Sequence, residues 1–145
     1  MTTALYALAL VTVSAAVSAA QMPDFSGRWT VDLRTPTERS QNLECGIAEF
    51  DLAQQGDRLT GSHSMVTVGC GRQNEGSGET VKGVIINQTA VLVVTSARNG
   101  AIVLGTARIR DALLYWETLE QIYAGEPEGD SPLILSKGIL RHTTH

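Results

Sequence analysis

The stretch Thr89-Ala90-Val91-Leu92-Val93-Val94-Thr95-Ser96-Ala97-Arg98-Asn99-Gly100-Ala101-Ile102-Val103-Leu104-Gly105-Thr106-Ala107-Arg108-Ile109-Arg110 decides the fold class. β-Branched residues fill both halves, and Val91-Leu92-Val93-Val94 is an apolar run of strand length, so it reads as a well-buried strand. Asn99-Gly100 between the halves is the strongest hairpin signal in the chain, because both residues tolerate positive φ. Arg108 and Arg110 share one face of the second half and read as solvent-facing charges.

The same grammar extends in both directions. In residues 25–34, Phe25, Trp29, Val31 and Leu33 alternate with Ser26, Arg28, Thr30 and Asp32. Residues 48–55 alternate likewise, and Gly56-Asp57 turns the chain into residues 58–68. A loop rich in Gly, Asn and Ser covers residues 69–78. Residues 79–86 follow, with a turn near Asn87-Gln88. Beyond the quoted stretch, Asp111 turns the chain into residues 112–121, and residues 125–132, acidic with two prolines, form a surface loop. Residues 133–142 are the last strand.

Eight short strands with mostly short connections predict an all-β domain, an antiparallel up-and-down barrel whose closure removes both exposed edges. A sandwich is the alternative, and it calls for longer crossovers. Such a barrel is filled by side chains or holds one small ligand. The Ala, Gly, Ser and Thr among the Val and Leu of residues 90–107 favour a ligand cavity.

The chain has 145 residues, room for one domain. Residues 1–20 carry no charged side chain. A short apolar run is followed by Ser18-Ala19-Ala20, a small-x-small pattern that predicts a signal peptide cleaved before Gln21. No Lys or Arg precedes the apolar run, so a buried N-terminal helix or a membrane anchor is the alternative. Residues 21–145 are then a single barrel domain, periplasmic or secreted, with no stable membrane anchor after cleavage. The formal net charge of −4, without a run of Lys or Arg, argues against nucleic acid and anionic membranes as partners. Cys45 and Cys70 predict a structural disulfide in an oxidising compartment rather than a reactive or metal-binding pair.

Gly27-Arg28-Trp29, just inside the first strand, resembles the opening of the calycin barrels: lipocalins, avidins and the bacterial lipocalin-like proteins. The resemblance implies that Trp29 closes one end of the barrel and that Arg141, near the end of the last strand, packs across its ring. The chain also resembles the periplasmic inhibitors of secreted bacterial metalloproteases, which combine a signal peptide, a Gly-x-Trp first strand, an eight-strand barrel and one disulfide. That second resemblance implies an N-terminal trunk, here residues 21–26, that enters a protease cleft.

Tyr115, Trp116 and Tyr123 form the richest aromatic set and mark a candidate cavity mouth beside the Gly/Pro loop, with core packing for Trp116 and surface for Tyr123 as the plainer reading. His63 shares strand parity with Leu59, Gly61 and Met65, which makes it a candidate ligand-binding residue facing the cavity, with a satisfied or solvent-facing histidine as the plainer reading. His142 and His145 belong to the chain tip. The carboxylates of residues 117–130 are not fixed in pairs, and no nucleophile, phosphate loop or metal signature emerges. The expectation is a binding protein without catalytic residues, cofactor or metal. Its partner is a small apolar or amphipathic molecule or, alternatively, an extracytoplasmic protein such as an envelope enzyme that it inhibits.

Overall fold

The computed structural model describes residues 20–144. The signal-peptide reading therefore falls, but for Ala20, outside the described residues. Among the described residues nine strands form: β1 (Gly27–Asp32), β2 (Cys45–Gln55), β3 (Arg58–Val68), β4 (Gln73–Asn74), β5 (Val81–Ile86), β6 (Thr89–Thr95), β7 (Ile102–Arg110), β8 (Leu113–Tyr123) and β9 (Lys137–Thr143). Their order is β2-β1-β9-β8-β7-β6-β5-β3-β4, and an additional β2–β3 pairing closes the ring. The result is a closed eight-stranded antiparallel barrel, with the two-residue β4 appended to β3. The sandwich alternative is not what forms. Among the described residues no helix is long and apolar enough to cross a membrane.

The two ends of the barrel differ. One carries three tight turns, at Gly56-Asp57, Asn87-Gln88 and Asp111-Ala112. Both residues of the last two turns have positive φ, 47° and 67° for Asn87 and Gln88, 50° and 60° for Asp111 and Ala112. That is the primed geometry whose twist matches a β-ribbon. The opposite end carries every long connection. Residues 33–44 contain the helix α1 (Pro36–Ser40), which sequence periodicity does not announce because one turn has no period. Its start is nonetheless written as a capping box: the Thr35 hydroxyl accepts from Glu38 N, and the Glu38 carboxylate accepts from Thr35 N at 2.7 Å.

Asn99-Gly100 is not a two-residue turn. β6 stops at Thr95, and residues 96–101 form a wider loop in which Gly100 N donates to Ser96 O and Ser96 N to Ala101 O. The last strand begins at Lys137, not at residue 133, because residues 130–136 are drawn inward by side chains instead of pairing with a strand. Cys45 and Cys70 are disulfide-bonded, with Cα atoms 5.3 Å apart. The bond ties the start of β2 to the residue two beyond β3, and loop closure of this size contributes about 3 kcal/mol.

Alternate residues of the strands point inward and fill the barrel. Phe25, Phe50, Leu92, Leu114, Trp116 and Leu140 are all essentially fully buried in one cluster. The small residues Gly105 and Ala107 of β7 make room for a core side chain. Ala107 lies directly opposite Trp116, and a Cβ on Gly105 would overlap the Trp116 ring. The space they release is the space the indole occupies.

Candidate functional site

The interior centres on Phe50. The His63 ring stacks on it at 4.4 Å and the Trp116 ring tilts against it at 5.0 Å. His63 and Trp116 then grip the same residue of the incoming segment. Leu135 N donates to His63 Nε2 at 3.1 Å, and Trp116 Nε1 donates to Leu135 O at 2.6 Å. Since Nε2 accepts, the proton sits on Nδ1, which donates to Glu49 O at 2.7 Å. Burial pushes the His63 imidazole down to about 4, against the smaller opposing effect of the Glu49 carbonyl. The histidine is neutral, satisfied and structural.

Residues 130–136 plug this end of the barrel, and polar side chains from two other connections hold their backbone. Asn99 Nδ2 donates to Asp130 O, Ser96 Oγ to Pro132 O and Asn74 Nδ2 to Leu133 O, at 3.1, 2.7 and 3.2 Å. The Arg98–Asp130 ion pair at 3.0 Å fastens the outer end. Leu133 and Leu135 are buried as a result. The opposite end is stoppered by Phe25, whose N–H donates to Gln54 Oε1 while its carbonyl accepts Trp29 Nε1, both near 2.9 Å. Gln54 also donates to Pro23 O. Much of the expected trunk is therefore built into the barrel.

The residues expected at a cavity mouth do not meet there. Trp116 and His63 are core. Tyr115 lies on the outer face of β8, and Tyr123 is exposed farther along it, with its hydroxyl 3.3 Å from Glu126 Oε1. Two register irregularities between β7 and β8 turn Leu119 and Ile122 outward near Tyr123. Trp29 is buried with its Nε1 donating to Phe25 O, but Arg141 does not pack across it. In the β1–β9 register Trp29 faces His142 and Arg141 faces Thr30, so Arg141 points out. The His142 ring meets the indole edge-on at 4.9 Å and 78°. Gly27 serves this contact, since its φ is 110° and a Cβ there would overlap the His142 ring.

The outer face of β7, β8 and β9 carries a different constellation. In register, Arg108 stands opposite Tyr115 and Tyr115 opposite Ile139, while Arg110 stands opposite Leu113 and Leu113 opposite Arg141. A hollow of about 380 Å³ opens here, lined by Arg108, Arg110, Tyr115 and Ile139 among others. A second of about 440 Å³ shares Ile139 and includes Arg141. Several carboxylates around this face are already engaged, Glu117 with Lys137, Asp32 with Arg34 and Arg39, and Glu49 and Asp51 with Arg28, while Asp111 in the turn after Arg110 forms no ion pair among the described residues. The Arg28 Nε–Glu49 contact, at 3.2 Å, is an ion pair whose N–H is not aimed for a hydrogen bond. Among the described residues no carboxylate comes within ion-pair distance of Arg108, Arg110 or Arg141; Arg108 Nε donates to Thr89 Oγ1 instead.

From the sequence, Arg108 and Arg110 read as solvent-facing charges on one strand face and Arg141 as a closer. Their grouping depends on β7 and β9 flanking one strand, a long-range pairing that charge counting along the chain does not register. No family model, curated protein or solved structure matches this chain.

Proposed function

We propose that the chain is an exported, non-catalytic binding protein that recognises an extracytoplasmic protein through the outside of a solid barrel. The observation that carries this reading is the occupied interior: Phe25 stoppers one end, Leu133 and Leu135 the other, and Phe50, His63 and Trp116 fill the space between. A carrier of an apolar molecule needs a concave, mostly apolar space. The hollows described above lie on the exterior instead. The disulfide fits an oxidising compartment. Inhibition of a protease by an inserted N-terminal trunk is less favoured than recognition by an outer face, because Phe25 is buried and Pro23 and Phe25 are hydrogen-bonded to Gln54.

Calorimetric titration with dodecanoate and with retinol, alongside interior methyl resonances, tests this directly. We expect no saturable binding that moves the signals of Leu92 or Ala107. A one-to-one complex that shifts those interior methyls restores the carrier reading and ends this one.

A further inference from the structure

We infer that the outer face of β7, β8 and β9 is a docking site for an extended, acidic segment of a partner protein, with Arg108, Arg110 and Arg141 binding carboxylates and Tyr115 and Ile139 receiving an apolar side chain. This deepens the protein-binding reading above and rests on it.

The geometry sets the partner's chemistry. Arg108 and Arg110 are two residues apart on one strand, so their side chains leave the same face about 7 Å apart. That is the same-side repeat of an extended peptide, so a segment running edge-on along β7 with acids two residues apart turns both acids toward the guanidiniums and the intervening residue toward Tyr115 and Ile139. Arg141 lies across Leu113, two strand spacings or about 10 Å away, where it closes the far side. Tyr115 and Ile139, directly opposite each other between these charges, are 36% and 51% exposed. An apolar floor with guanidiniums around it matches a segment that alternates acidic and apolar residues, and Arg offers each carboxylate a two-pronged contact.

Charge complementarity is what selects this occupant. The chain is acidic overall, at −4, yet Glu117, Asp32, Glu49 and Asp51 are paired with Lys137, Arg34, Arg39 and Arg28, and Asp111 beside Arg110 turns no carboxylate to within ion-pair distance of it. A partner carboxylate thus meets three guanidiniums that no carboxylate among the described residues pairs with. Three arginines do not make the long basic stripe that a nucleic-acid backbone requires. The apolar residues also sit in a hollow, where a chain segment reaches them more readily than a flat bilayer does.

The test selects a display library of short random peptides on the folded protein and counter-selects on the variant Arg108→Glu/Arg110→Glu/Arg141→Glu, whose melting temperature is checked first. These positions are exposed, so the variant should fold. The expected result is enrichment of peptides with Asp or Glu two positions apart flanking an apolar residue. Their affinity should fall at least tenfold in the triple variant and severalfold in each single Arg→Ala variant, with binding weakened by salt. Peptides that bind the triple variant equally well but lose affinity in Leu119→Ser/Ile122→Ser/Tyr123→Ser overturn this site while leaving the protein-binding reading intact. Arginine-dependent binding of phosphatidylglycerol vesicles, with no peptide enriched, overturns both in favour of a lipid surface. Failure to enrich any peptide or bind those vesicles overturns the docking inference, while the interior-methyl titration tests the broader reading independently.

Discussion

His63 uses both ring nitrogens in its neutral form, donating to Glu49 O from Nδ1 and accepting Leu135 N–H at Nε2. A second proton on the ring would displace the Leu135 contact and place a charge in the apolar core. Its folded value of about 4 lies below the ordinary 6.5, so the unfolded chain binds more protons between those limits. The contribution is therefore fully present above pH 6.5 and lost as pH falls toward 4, amounting to about 3 kcal/mol. Urea unfolding across that window should show stability falling with acid, and His63→Phe should flatten this part of the slope while lowering stability at neutral pH. An unchanged slope in the variant contradicts the assignment. The inward position of His63 was legible from its parity with Leu59, which is also buried. The position of Arg141 was not, because a shift of one residue in the β1–β9 register exchanges it with His142 and reverses the face. No sequence feature short of that pairing fixes the choice.

At the level of elements, the strands were readable and the segment that plugs them was not. Alternation and turn chemistry located eight barrel strands to within a few residues, since each strand's pattern is local. Residues 130–136 have the Pro, Gly and acidic neighbourhood of a solvated loop, and their burial comes from partners far away in sequence. Asn74 concentrates that dependence. It donates to Leu133 O and accepts from Gly76 N at 3.3 Å and Ala97 N at 3.1 Å, joining three connections. Asn74→Ala should cost at least about 2 kcal/mol, since the substitution strands buried backbone groups. Hydrogen exchange at the Leu135 amide should accelerate with it, because the plug loosens first. A neutral substitution with unchanged exchange would show that the plug is held by Leu133 and Leu135 alone.

For the molecule as a whole, closure followed from eight consecutive antiparallel strands, but the content of the barrel did not. Ala90, Gly105 and Ala107 suggested a cavity because small residues leave space; which side chain fills that space depends on β7–β8 register, and there it is Trp116. Net charge misled in a similar way, since −4 averages over a surface that segregates three arginines on one face. A filled barrel and an unbalanced exterior are what the proposal of recognition by the outer face rests on. Native mass spectrometry of the protein, recovered from its own host without denaturation, tests this most directly. We expect the bare chain, or the chain joined to a polypeptide that dissociates in the Arg108→Glu/Arg110→Glu/Arg141→Glu variant. A stoichiometric small-molecule adduct that persists in that variant would contradict the account, because the ligand would then have to be inside.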